Sequence, residues 1–290
     1  MKESYLIKHP TQTFGVYQKV TAEDAGWSHL SMEARLMRRG ETWQGDTGEN
    51  EYAFILLSGN YSASTNRGSW QTTNGRKSVF EGIAHTLYLP RHTSFTITAE
   101  SELLDIAAGW CLSTEDFPAR FKTPEEAAIE IRGGDNATRQ INSLVEPGFG
   151  CSNIIAVEVY TPSGNWSSFP AHKHDERKVD TNGTVTEACL EEFYFYKIDK
   201  ETGYALQHVY TSDGSLNELM QLRTNDLALI PKGYHPVVAA HGYNCYYLNF
   251  LAGSDQSLAN TPDPDHEWIF NSWKGIDPRI PMVNAAMNNQ

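Results

Sequence analysis

Short runs of β-branched and aromatic residues, closed off by Gly, Asn, Asp and Ser, recur along nearly the whole chain. No other feature constrains the fold as much. The runs at 52–57, 86–89, 95–99, 154–161, 192–198, 205–210, 226–230 and 243–250 each read as a strand, because their side chains suit a pleated, half-buried surface. Helical periodicity is scarce. The best helix candidate is 123–130, with Thr123 as cap, Pro124 at the first helical position and Glu125 and Glu126 in the first turn. Many short strands with turn signals between them predict an all-β sandwich or barrel.

The pattern occurs twice. Leu87-Tyr88-Leu89-Pro90-Arg91 resembles Ala228-Leu229-Ile230-Pro231-Lys232, and Glu51-Tyr52-Ala53-Phe54 resembles Glu192-Phe193-Tyr194-Phe195. Counted from the prolines, Ser94 falls where His235 falls, and Glu51 is expected to match Glu192. The polar segment near 112–150 separates the copies. The expectation is two tandem barrels with few short helices, an N-terminal one over 1–130 and a C-terminal one over 150–290.

Only the second copy carries histidines at the matching places. His172 and His174, at i and i+2, project from one face of a strand, and Lys173 between them faces away. His235 follows a Pro-x-Gly turn directly after an apolar strand. Spacing does not choose between Glu191 and Glu192. Glu192 is favoured because it directly precedes the aromatic strand and shares a face with Tyr194 and Tyr196. Imidazole is the commonest protein ligand for a divalent transition metal. Three histidines and a carboxylate inside a β-barrel form the cupin arrangement, which leaves open coordination positions and suits Lewis-acid chemistry. The expected metal ligands and catalytic residues are therefore His172, His174, Glu192 and His235, holding one divalent ion per chain: Zn, Mn or Fe. Gln207, Tyr247 and Asn249 are polar groups on otherwise apolar strands. A buried polar group needs a partner, so they are candidate substrate-binding residues, with structural hydrogen bonding as the plainer reading. His208 should face outward, and His266 sits in a polar turn.

Composition narrows the partners. The formal charge of −13 argues against nucleic acid and anionic membrane. No run reaches the length of a membrane span, and residues 1–8 lack the apolar core of a signal peptide. Four cysteines without a C-x-x-C pair fit reduced thiols in a cytoplasm. Apolar barrel edges would allow a homo-oligomer.

The runs Phe169-Pro170-Ala171-His172-Lys173-His174-Asp175, Leu190-Glu191-Glu192-Phe193-Tyr194-Phe195-Tyr196, Tyr204-Ala205-Leu206-Gln207-His208-Val209-Tyr210-Thr211, Ile230-Pro231-Lys232-Gly233-Tyr234-His235-Pro236-Val237 and Tyr246-Tyr247-Leu248-Asn249-Phe250-Leu251-Ala252-Gly253 together resemble the 5-deoxy-glucuronate isomerase family of bacterial myo-inositol catabolism. The resemblance covers roughly residues 150–270, with a looser match in the first half. It implies a bicupin with its metal in the C-terminal barrel, related to 5-keto-4-deoxyuronate isomerase. It also implies an aldose–ketose isomerisation of a small sugar acid, 5-deoxy-D-glucuronate, to 2-deoxy-5-keto-D-gluconate, by proton transfer or by hydride shift. An Fe-dependent cupin dioxygenase and a non-catalytic sugar-acid-binding cupin are the alternatives. Seventeen residues separate His174 from Glu192. This polar insert, longer than in a common cupin, reads as an exposed loop over the barrel mouth.

Overall fold

The computed structural model describes residues 5–9 and 13–289. Each expected strand falls on an observed one: Asn50–Ser58, Thr86–Leu89, Ser94–Ala99, Ile155–Thr161, Val185–Ile198, Ala205–Tyr210, Leu227–Ile230 and Cys245–Gly253. Among the described residues α-helix is confined to the single turn Ala22–Ala25. The helix expected over 123–130 is instead the 3-10 turn Pro124–Glu126 followed by the strand Ala128–Arg132. The start signal was real, since the Glu126 carboxylate accepts from the Thr123 N–H at 2.8 Å. No apolar stripe follows it, however. Ala128, Ile129 and Glu130 are all exposed, so nothing holds a helical face against a core.

The chain divides into two compact units. One comprises Pro10–Ala128, Ser143–Ala156 and Val283–Gln290, and the other Met1–His9, Ile129–Asn142 and Val157–Met282. The units interleave in mid-chain, between 129–142 and 143–156, and at the chain ends. The N-terminal exchange rests on an element too short to mark a sequence, the two-residue strand Leu6–Ile7, where Leu6 pairs with Ala228.

Both units are built to one plan, which makes the fold a bicupin. In the unit with residues 10–128, one sheet runs Thr86–Leu89, Asn50–Ser58, Leu103–Leu112, Ser31–Arg38, and the other runs Thr42–Asp46, Ser94–Ala99, Tyr61–Thr65, Gly68–Gln71. The unit with residues 157–282 repeats this order. Its sheets run Leu227–Ile230, Val185–Ile198, Cys245–Gly253, Ile155–Thr161, and Trp166–Ser167, Val237–Ala239, Ala205–Tyr210, Asn217–Leu222. Neighbouring strands in both are antiparallel.

The strand register corrects two details of the repeat. Tyr52 pairs with Leu89, and Glu192 pairs with Ile230. With Pro90 set on Pro231, Tyr52 rather than Glu51 stands where Glu192 does. Similarly, Ala99 opposite Tyr61 and Ile97 opposite Ala63 match Ala239 opposite Ala205 and Val237 opposite Gln207. The inward place of His235 therefore falls on Phe95, and Ser94 is exposed. The first unit fills this interior with aromatic rings: Tyr52 and Phe95 at 6.0 Å, Phe54 and Phe95 at 5.1 Å, and Trp43 and Phe54 at 5.2 Å. Glu51 faces the other side of its sheet. It is fully buried there, accepting from the Ser152, Asn153 and Ile154 N–H groups at 2.8, 2.6 and 2.7 Å and from the Tyr88 hydroxyl at 2.8 Å. A buried carboxylate needs such donors, so Glu51 clamps the main chain.

Candidate functional site

Three elements aim the histidines of the second unit at one point. His172 lies in the two-residue strand His172–Lys173, opposite Pro262. Strand alternation turns Lys173 away, into ion pairs with Asp175 and with Glu187 at 2.9 Å. His174 follows at the start of the insert. The insert itself departs from the expected loop. Asp175–Val179 folds back on the first half of Val185–Ile198 as a β-hairpin, with Lys178 opposite Glu187 and Val179 opposite Val185. Asn182-Gly183 between Val- and Thr-rich arms is the turn signal that would have revealed it. Gly183 has a positive φ of 83°.

His235 is placed by the Pro-x-Gly turn. Gly233 has φ 83°, and a Cβ there would lie 2.3 Å from the Tyr210 carbonyl oxygen. Only glycine fits. The Gly233 N–H donates to Asp175 Oδ2 at 2.7 Å, and the Gly233 carbonyl lies 2.8 Å from His235 Nδ1. That contact places the proton on Nδ1 and leaves the Nε2 lone pair facing inward. His235 Nε2 is buried and has no hydrogen-bond partner, lying 3.3 Å from Glu192 Oε2 outside bonding alignment. His174 is oriented in the same way. Its Nδ1 is 3.3 Å from the Leu190 carbonyl, and its Nε2 is 2.9 Å from Glu192 Oε2.

One ligand atom from each of His172, His174 and His235 lies within 4.8 Å of the others, and Glu192 adds an oxygen beside two of them. His174, Glu192 and His235 are buried and His172 is half-buried. Burial pushes the His172 pKa well down, and the neighbouring His235 and His174 push it further. Burial alone would raise Glu192, but the hydrogen bond from His174 and the nearness of His235 outweigh it and lower it. The pair is reciprocal. Burial would lower His174, and its hydrogen bond to Glu192 raises it instead. An inward lone pair with no partner, two imidazoles steered by main-chain carbonyls and an adjacent carboxylate fit a divalent cation.

Around the cluster lies a floor of tyrosines. Tyr194 shares Glu192's face, and its ring is 5.9 Å from that of His235. Tyr247 lies 4.7 Å from Tyr194 and 5.5 Å from Tyr196. Ser167 Oγ is 2.7 Å from the Tyr247 hydroxyl, and Ser168 Oγ is 3.1 Å from that of Tyr194. Among the other candidates, Gln207 accepts from the Tyr196 hydroxyl at 3.0 Å, and Asn249 donates to the Phe193 carbonyl at 3.2 Å. His208 faces away from the cluster, with its Nε2 2.7 Å from Asn217 Oδ1. His266 is partly exposed, 4.0 Å from Asp263. Sequence reasoning passed over Ser167, Ser168 and Arg139. Arg139 is 9% exposed and donates to the Phe169 carbonyl at 2.9 Å. Nothing in the local pattern marks these three, because their roles arise from packing between distant segments.

Fold and site together define a bicupin with a three-histidine, one-glutamate cluster in one of its two units. The chain belongs to the KduI/IolB family, whose description matches residues 5–269. It is 35% identical over 275 residues to the 5-deoxy-glucuronate isomerase of Geobacillus thermodenitrificans strain NG80-2, covering 94% of this chain and 97% of that one. It is 30% identical over 273 residues to the 5-deoxy-glucuronate isomerase of Bacillus subtilis strain 168, covering 92% and 98%. A solved IolB-like protein from Salmonella typhimurium LT2 superposes with a TM-score of 0.86 at 33% identity, over 91% of this chain and 98% of that one. Oxalate decarboxylase shares the fold, with a TM-score of 0.61 at 12% identity over 87% and 76%.

Proposed function

We propose that the chain is an aldose–ketose isomerase converting 5-deoxy-D-glucuronate to 2-deoxy-5-keto-D-gluconate in myo-inositol catabolism. In this reading it holds one divalent ion, Zn, Mn or Fe, through His172, His174, Glu192 and His235. The observation that carries the metal is the buried, partnerless Nε2 of His235 beside Glu192 and His174. The substrate is supported by relatives of that name across nearly the full chain. When bound, the ion supplies Lewis acidity toward the sugar carbonyl and stabilises enediolate charge.

The chain's own groups do the rest. Gly233 and Leu190 carbonyls orient the rings of His235 and His174. Tyr194 keeps its proton, because burial and the Glu192 charge raise its pKa well above the ordinary value. It is a hydrogen-bond donor for the substrate side of the cluster. Tyr247 lies beside it on the same floor. Gln207 and Asn249 already bond to protein groups, so we assign them to holding Tyr196 and the Phe193 main chain. The domain reading follows: a C-terminal barrel that holds the metal and an N-terminal one, packed with aromatics, that does not.

No helix among the described residues is long and apolar enough to cross a membrane, and the four cysteines form no disulfide. The free thiols support a cytoplasmic location. The test is metal analysis of the purified protein combined with an NMR assay on 5-deoxy-glucuronate. Near-stoichiometric metal, product formation without O₂ uptake, and loss of turnover on chelation are expected. O₂ consumption would favour a dioxygenase, and ligand binding without product a non-catalytic cupin.

A further inference from the structure

Arg139 is a buried guanidinium without a carboxylate partner. Several other cations of this unit are paired with carboxylates: Lys173 with Asp175 and Glu187, Arg132 with Glu130 at 2.6 Å, Arg177 with Asp255 at 2.8 Å, and Lys178 with Glu187 at 2.7 Å; Lys232, which meets the Ser215 hydroxyl at 3.3 Å, is exposed to solvent. The partners of Arg139 are two main-chain carbonyls, Phe169 at 2.9 Å and Ala137 at 3.4 Å, both reached from Nη1. A guanidinium has five N–H donors in a planar fork, so Nε and Nη2 keep theirs. Burying a cation without an anion is costly, which makes this a poor structural choice unless an anion arrives from outside.

Its position says which anion. Phe169 lies in the segment that leads into His172. Beside it, Ser168 Oγ touches the Tyr194 and Tyr247 hydroxyls at 3.1 and 3.4 Å. Arg139 thus sits beside the tyrosine floor, at the edge of the loop that delivers the first histidine. The isomerisation occurs at the aldehyde end of the substrate, and the carboxylate is at the other end of the carbon chain. A site that held the carbonyl end alone could not tell the acid from the neutral sugar.

We propose that Arg139 is the dock for the substrate carboxylate and sets specificity for sugar acids over neutral sugars. The proposal rests on the isomerase reading for the identity of the acid, but not for the existence of the dock. A guanidinium fork matches a carboxylate in two-point geometry that lysine lacks.

The experiment compares wild type, Arg139→Gln and Arg139→Lys. Calorimetry with D-glucuronate and D-glucose tests the dock without turnover, and steady-state kinetics on 5-deoxy-glucuronate tests it in the reaction. Wild type should prefer D-glucuronate to D-glucose, and Arg139→Gln should erase that preference while still binding glucose as wild type does. KM for 5-deoxy-glucuronate should rise by at least about tenfold in Arg139→Gln, with kcat changed less and part of the loss recovered in Arg139→Lys. Metal content should not change. Three results would overturn the dock: an undiminished preference in Arg139→Gln, equal loss of both ligands together with metal, or no acid preference in wild type. A wild type that prefers glucuronate yet does not convert 5-deoxy-glucuronate would refute the isomerase reading and leave the dock standing.

Discussion

At the scale of single residues, the site depends on which nitrogen of each imidazole faces inward. Main-chain carbonyls decide this for His174 and His235, so the two Nε2 atoms converge before any ion binds. His174→Ala removes a convergent donor and leaves Glu192 Oε2 without its 2.9 Å partner. Barrel stability comes mainly from apolar burial across two sheets, so the variant should still fold. Turnover should fall by at least about a hundredfold, because electrostatic stabilisation of this kind contributes a few kcal/mol and each 1.36 kcal/mol is tenfold in rate. His208→Ala, whose ring lies on the outer face against Asn217, should change turnover little. Equal losses in the two variants, measured by the NMR assay, would separate the cluster from catalysis. Period-two alternation made His172, His174 and the outward turn of Lys173 readable in the sequence. That Glu192 rather than Glu191 lies beside the histidines is visible only in the folded chain. Arg139 stayed hidden, because an arginine in a β-rich stretch gives no sign of whether a carboxylate will meet it.

Among the elements, the hairpin between His174 and Glu192 is where expectation and structure part. Polar composition suggested a loop, yet the polar residues pair with one another. Glu187 is fully buried by side-chain exposure and receives Lys178 at 2.7 Å, Lys173 at 2.9 Å and the Thr261 hydroxyl. Burial alone would raise its pKa, but these donors lower it from 4.5 to about 2. A carboxyl depressed in the folded state binds protons less readily there than in the unfolded chain. Its stabilising contribution is therefore complete above about 4.5 and is lost as pH falls from there toward about 2. Thermal melts of wild type and Glu187→Gln should differ clearly at pH 7, and the gap should narrow at about pH 3. An equal gap at both pH values would show that Glu187 acts through packing rather than through its charge. Because Lys173 lies between two of the cluster histidines, loosening this network should also lower metal retention on dialysis.

Across the whole molecule, one topology serves two interiors. The prolines Pro90 and Pro231 made the repeat legible, since a proline can close a strand but cannot continue the ladder. They did not reveal the residue-level match, because the second sheet is offset by one position after the turn, and in a strand an offset of one exchanges the two faces. Counting from the proline therefore selected exposed Ser94 when the inward residue is Phe95. The consequence is chemical. Where the second unit places His235 and Glu192, the first places Phe95 and Tyr52, and rings at 5.1 to 6.0 Å occupy the space an ion would need. Phe95→Ala should cost about 3–5 kcal/mol of stability by removing a ring from a packed cluster, and should leave the metal content at one ion per chain. The measurement is a denaturant titration beside metal analysis of the same preparation. A variant that lost its metal in proportion to its loss of stability would mean the two interiors are not energetically separate. A wild type with two ions per chain would show that the first unit also holds metal, despite its aromatic filling.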